Sequence, residues 1–288
     1  MELTPHERAA RQTPPVALPA GQSMTTADGV ALTWLGQAGF LLDAAGTRLL
    51  VDAFISPHPD RQTPPGGVPA SYGGLAGVLA THEHWDHLDL PSWPGLAAAS
   101  PSAKFVVPQP VVDQVTAAGL PPERVLGAVP GEPLAFGDAT VMPVKARHGV
   151  HVSDAYTFGE EISGGACRYL GYVVSIGGAR IYHAGDSIDY PGLAERLHEL
   201  DVDLVLLPIN GRDAEREAKD IVGNLDAAEA ADLAARAGAD TAVPMHYDMF
   251  AANPGDPGEF VRLLRRDHLS VSAIVPIPHR AVGYRRMH

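Results

Sequence analysis

The segment Thr81-His82-Glu83-His84-Trp85-Asp86-His87 gathers three imidazoles and an aspartate into the six residues 82–87. In an extended chain, side chains two apart point the same way, so His82 and His84 converge on one cation. Asp86 and His87 follow where the chain turns, placed to serve a second cation beside the first. Neutral imidazole and carboxylate suit zinc and similar divalent ions. The inert alternative is a histidine-rich polar loop; the position of the cluster, directly after a buried-type strand, argues against it. The helical zinc-protease pattern fails, because its second histidine would stand at 86, which is Asp. Neither a phosphate-binding loop ending in Gly-Lys-Ser/Thr nor a Gly-x-Ser-x-Gly nucleophile elbow occurs. One cysteine, Cys167, excludes an internal disulfide framework and a cysteine-rich zinc site. Thirteen histidines beside a single thiol therefore point to nitrogen and oxygen ligands.

These residues need a frame, and the apolar pattern predicts one. Short runs at 31–35, 40–43 and 47–52, separated by Gly36, Gly39 and Gly46, read as a hairpin meander. Residues 56–74 are rich in proline and glycine and form a long loop of the kind that covers sites. The run 77–81 is the buried strand that delivers the histidine cluster. Further strands are predicted at 105–107, 125–129, 139–147, 170–176, 180–183, 204–209, 242–245, 271–277 and 281–284. Helices are predicted at 110–118, at 193–200, from an Asn224 cap to Ala237 before Gly238, and from Asp256-Pro257 to Asp267. Strands dominate the first half and strand–helix alternation the second, which suits a layered α/β domain without an internal linker. Residues 1–24, with Pro5, Pro14, Pro15 and Pro19, read as an irregular N-terminal arm, and residues 25–288 as the domain.

Composition narrows the function. At 288 residues, 45% hydrophobic and 19% charged, the chain can bury a sizeable core and is not a disordered protein. The net charge of −13 disfavours nucleic-acid and anionic-membrane partners, and no lysine/arginine cluster stands clear of acids. No stretch reaches the roughly 18 apolar residues of a membrane span. The N-terminus has no apolar signal core, and with a single cysteine the cytoplasm is the default compartment.

The spacing His-x-His-x-Asp-His after a strand resembles the metallo-β-lactamase superfamily signature. The family's other pieces occur in order: His148 after a strand, Asp186 within Tyr182-His183-Ala184-Gly185-Asp186-Ser187, and His246 within Val243-Pro244-Met245-His246-Tyr247. Within the superfamily, Asp86-His87-Leu88-Asp89, His183-Ala184-Gly185-Asp186-Ser187 and Pro244-Met245-His246-Tyr247-Asp248 resemble the L-ascorbate-6-phosphate lactonase-like proteins. The resemblance implies a four-layer αββα sandwich in a single domain, holding two divalent ions, Zn or Mn. His82, His84 and His148 would hold the first ion and Asp86, His87 and His246 the second, with Asp186 bridging them. His151 competes with His148 for its place. The implied activity is hydrolysis of a lactone or ester of a small anionic metabolite by a metal-bridging hydroxide, with Asp86 orienting the nucleophile. The resemblance is also compatible with a homo-oligomer.

Substrate contacts are argued from position. Asn210 and Arg212 follow a predicted strand and could line the pocket, Arg212 as an anion clamp; a solvated loop is the alternative. Tyr247 and Asp248 adjoin a ligand and could protonate a leaving group. Asp89 could fix a histidine tautomer or cap the turn before Pro91. His183 could support a ligand or simply pack, and Cys167 reads as inert. Competing functions are a phosphodiesterase or nuclease of the same fold, a di-iron oxidoreductase and a non-catalytic metal-binding scaffold. A nuclease would need a basic exosite. The oxidoreductase would carry glutamate where His84 stands, and the scaffold would lack ligands.

Overall fold

The computed structural model describes residues 29–148, 165–212, 214, 218 and 223–286. Among these, fourteen strands form two seven-stranded sheets. The first sheet holds β1 (Val30–Gly36), β2 (Gly39–Ala44), β3 (Thr47–Val51), β4 (Gly77–Leu79), β5 (Lys104–Pro108) and β6 (Val125–Ala128), with β14 (Ala281–Tyr284) beside β1. The second holds β7 (Leu134–Phe136), β8 (Ala139–Lys145), β9 (Leu170–Ile176), β10 (Ala179–His183), β11 (Leu204–Pro208), β12 (Thr241–Met245) and β13 (Ser272–Ala273). Each sheet begins as an antiparallel meander and continues in parallel: β1 to β3, then β4 to β6; β7 to β10, then β11 to β13.

Strand periodicity explains the layers. Along β2 to β5 alternate residues separate into two apolar clusters. Phe40, Leu42, Leu49, Val51, Leu79 and Val106 face inward and pack with Val141, Tyr172, Val174 and Ile181 of the second sheet. Leu41, Leu50, Val78, Phe105 and Val107 face outward beneath α1 (Trp93–Ala99) and α2 (Val112–Ala117), which contribute Trp93, Leu96 and Val115. Both faces are covered, so these strands read as nearly continuous apolar runs. On the second sheet, α4 (Ala227–Arg236) packs on β11 and β12, flanked by α3 (Leu193–Glu199) and α5 (Pro257–Asp267). The result is the four-layer αββα sandwich expected of the single domain.

Several predicted elements change. Helix α1 was not foreseen: Pro94 and Gly95 look like a turn, but proline is tolerated in a first helical turn. The helix expected from an Asn224 cap begins at Ala227 instead. Asp226 is its N-cap, accepting hydrogen bonds from Ala228 N (2.9 Å) and Glu229 N (2.8 Å), while Glu229 Oε2 accepts one from Asp226 N. This is a reciprocal capping box. The strand expected over 271–277 shrinks to Ser272–Ala273, because Pro276 and Pro278 cannot donate to a ladder. Strand β7 was also unforeseen. The arm at 1–24 and His151 lie outside the described residues. No helix among those described is long and apolar enough to cross a membrane.

Candidate metal centre

Strands β1, β3 and β4 of one sheet, and β8, β10, β11 and β12 of the other, end at the same edge of the sandwich. Ligands of α/β folds gather at such carboxyl ends. Gln37 follows β1, Asp52 follows β3, and the 82–87 segment lies just beyond β4. His148, Asp186, Asn210 and His246 follow β8, β10, β11 and β12 in turn. The backbone there is unusual: Gln37, Asp52, His246 and Asp248 all adopt positive φ without being glycine. Such conformations persist where the surroundings over-determine them. Gly185, with φ +59°, turns the chain into Asp186, and a Cβ there would lie 2.7 Å from the Thr81 side chain.

The seven predicted ligands come together as two groups. Donor atoms of His82, His84, His148 and Asp186 lie within 4.8 Å of one another, as do those of Asp86, His87 and His246. Asp186 joins the groups. Its Oδ2 is 3.6 Å from His148 Nε2, while its Oδ1 is 3.3 Å from His87 Nε2 and 3.1 Å from His246 Nε2.

Hydrogen bonds behind the ligands decide which ring nitrogens face inward. His148 Nδ1 donates to the Gly223 carbonyl at 3.0 Å, and His87 Nδ1 to Asp52 Oδ2 at 2.7 Å. Thr81 Oγ1 donates to Asp52 Oδ2 at 2.6 Å and accepts from His82 Nδ1 at 3.0 Å. Each of these three histidines thus keeps a proton on Nδ1 and directs Nε2 inward, the nitrogen that would ligate a cation. Asp52 anchors members of both groups, directly for His87 and through Thr81 for His82. Gln37 Nε2 donates to Asp86 Oδ2 at 2.8 Å and lies 3.1 Å from His246 Nε2. The Tyr169 ring packs against His82, His84 and His148. No local sequence pattern distinguishes Asp52, Gln37 and Tyr169 from turn and core residues.

Charge and burial test whether the site fits a cation. Asp52, Asp86 and Asp186 are three carboxylates in one largely buried cluster, and buried charge requires a counterpart. Burial pushes the His87 imidazole down, yet Asp186, Asp52 and Asp86 outweigh it and hold its pKa well above the ordinary range. Burial and the neighbouring His87 and His84 keep His82 well below that range, and burial takes His148 down to about 4. Asp86 and Asp186 are lowered against their burial, chiefly by His87 and His246, and stay ionised. Among the described residues, His87 Nε2 and Asp186 Oδ1 are buried 3.3 Å apart without a hydrogen bond of proper geometry to any partner. Inward-facing Nε2 atoms, ionised carboxylates and these two buried polar atoms fit divalent cations, whose binding would displace the extra proton of His87.

The remaining candidates take other places. Asn210 lines the cleft over the ligands, and Asn224, expected to cap a helix, lines it too, donating from Nδ2 to Asn210 Oδ1 at 2.9 Å. Arg212 lies outside this lining: its guanidinium forms a two-pronged pair with the Glu229 carboxylate. Tyr247 is buried with its ring 5.0 Å from that of Trp34, also outside the lining. Asp89 accepts from Ile55 N, Ser56 N and Ser56 Oγ, so it pins the loop after Asp52 rather than a ligand histidine. His183 Nε2 donates to the Ala38 carbonyl at 2.7 Å and Nδ1 accepts from Gly185 N, bracing the turn before Asp186. Cys167 is buried in the core and belongs to neither ligand group.

Comparison with known proteins agrees with this geometry. Residues 47–247 match the model of the β-lactamase superfamily domain. A UPF0173 metal-dependent hydrolase of Methanopyrus kandleri is 31% identical over 251 residues, covering 86% of this chain and 96% of that protein. One from Rubrobacter xylanophilus is 31% identical over 259 residues, covering 88% and 97%. A metallo hydrolase of Ignicoccus hospitalis shares the fold with a TM-score of 0.69 at 22% identity, covering 90% of this chain and all of that one. Fold, ligand set and relatives converge: the chain belongs to the metallo-β-lactamase superfamily and is a metal-dependent hydrolase of the UPF0173 family.

Proposed function

We propose that the chain is a dinuclear hydrolase that opens a lactone or cleaves an acyl ester of a small metabolite. The observation that carries this reading is Asp186, whose two oxygens face the two ligand groups separately. When bound, a pair of divalent cations supplies an activated water at neutral pH and draws charge from the oxygen of the scissile group.

The chain's own residues do the rest. Asp86 remains ionised, and Gln37 fixes it through Oδ2, so the carboxylate is placed to accept a hydrogen bond from the attacking water. Asp52 and Thr81 hold His82 and His87 in one tautomer, so neither ring must reorganise during turnover. Asn210 and Asn224 bring carboxamides to the cleft, where they can orient a carbonyl or hydroxyl of the substrate. With Arg212 engaged by Glu229, an anionic group on the substrate would be held by the cations themselves.

The test is a hydrolysis screen over sugar lactones, acyl esters and phosphodiesters, with zinc and manganese supplied separately. Cleavage of lactones or esters that disappears together with bound metal in His84→Ala is the expected result. Cleavage of phosphodiesters alone would replace the acyl reading with phosphoryl chemistry.

A further inference from the structure

One wall of the cleft plays no part in holding metal. Trp85 sits between the ligands His84 and Asp86, yet 52% of its surface is exposed. His58 stacks on it with ring centroids 4.9 Å apart and planes inclined by 17°. Phe54 and Phe250 meet it at steep angles, 5.2 Å and 5.3 Å away. Trp85, His58 and Phe250 line the cleft of about 820 Å³ that contains the metal ligands. Trp85 and His58 also border a neighbouring cavity of about 550 Å³.

The wall is built to hold its shape. Phe54 and His58 belong to the loop after Asp52, Phe250 to the loop after β12. Gln62 N donates to the Met249 carbonyl at 2.7 Å and Thr63 Oγ1 to the Asp248 carbonyl at 3.1 Å, tying the two loops together. Asp89 pins the start of the first loop, and the Arg61 guanidinium bonds to the carbonyls of Phe54, Ser56 and Thr63. Arg61 also lies over the Phe54 ring, 5.1 Å from its centroid. A tryptophan left half open costs solvation that a packed surface would not, and a pre-formed aromatic face beside reactive groups is a recognition surface.

We propose that Trp85, with His58 and Phe250, forms a subsite for an aromatic ring carried by the substrate beside its scissile bond. The reading rests on the hydrolase function above only for where that bond lies. Trp34 and Trp93 are buried, at 2% and 1% exposure, so Trp85 dominates quenching of the chain's tryptophan fluorescence by a soluble quencher. The probes are phenylacetamide and cyclohexylacetamide, which match in size and differ in aromaticity, added to the metal-loaded full chain. Phenylacetamide should shield Trp85 from iodide with about three- to tenfold lower Kd than the saturated analogue, as expected for aromatic pairing. Methyl phenylacetate should exceed methyl cyclohexylacetate in kcat/KM by a similar factor, expressed in KM. Trp85→Ala should abolish the preference, while Trp85→Phe keeps part of it, with metal content equal in all three proteins. Equal shielding by both amides, or shielding by neither, would overturn the subsite. Discrimination between the amides with no ester cleavage would support the subsite while counting against the acyl-hydrolase reading.

Discussion

Replacing Asp52 with asparagine swaps one oxygen for an amide beneath both ligand groups. In the wild-type chain Asp52 Oδ1 accepts from Thr81 N at 2.7 Å, and Oδ2 accepts from Thr81 Oγ1 and His87 Nδ1. Asparagine can keep only one of these oxygens. If it serves Thr81 N, the amide faces His87 Nδ1, which must then become an acceptor and move its proton to Nε2. That proton occupies the lone pair meant for the cation. If the amide is turned round instead, it meets Thr81 N donor to donor. Loss of such an orienting partner costs about 10–100-fold in metal affinity, or about 1.4–2.8 kcal/mol. A buried bond left unmade adds about 1–3 kcal/mol to the folding cost. Competition with a chromogenic chelator should show one ion bound 10–100-fold more weakly, with activity following that ion's occupancy. Two ions held at wild-type affinity in Asp52→Asn would refute the tautomer argument.

Three further outcomes follow from the geometry. Gly185→Ala forces positive φ on alanine and brings its Cβ within 2.7 Å of Thr81 and 2.9 Å of the Leu170 carbonyl; a loss of about 2–4 kcal/mol is expected, read by urea unfolding, and an unchanged midpoint would contradict it. Arg212→Met removes a partly exposed pair with Glu229, so about 1 kcal/mol of stability at most should go, whereas a large rise in KM would place Arg212 back in the cleft. The pH dependence of the metal-free chain should peak near pH 6.5. His148 and His82 have folded pKa values below the unfolded value, so the unfolded chain binds more protons and stability falls on acidification below 6.5, by about 3 kcal/mol for His148 by pH 4. His87 is raised, so its stabilisation is complete below 6.5 and is lost as pH rises through its folded value. Unfolding midpoints at pH 4.5, 6.5 and 8.5 check this, and bound metal should flatten the profile.

Much of the fold was legible because its strands are apolar runs bounded by glycines and polar turns. The division of β2 to β5 into two apolar clusters emerges only when both faces of the sheet are covered. The short elements were not legible: α1 hides behind Pro94-Gly95, and β13 is cut down by prolines whose effect depends on the neighbouring strand. The ligands were legible because 82–87 concentrates them, and because His148, Asp186 and His246 each follow a strand in a familiar order. Asp52 acts on His87 from 35 residues away, and in sequence it is one more aspartate at a strand end. Gln37 and Asn224 are likewise ordinary until the two sheets close. Arg212 reads as a clamp because its loop follows a strand; its pairing with Glu229, which projects from the first turn of α4, emerges only in the structure. Local pattern reveals ligands that cluster, whereas residues that position them become visible only through tertiary contact.

Metal analysis of the chain after reconstitution and removal of free ions tests the central claim most directly. Two divalent ions per chain are predicted, falling to fewer in Asp186→Ala, with hydrolysis lost on exhaustive chelation and restored by adding metal back. Full hydrolytic activity in the chelated, metal-free chain would contradict the account.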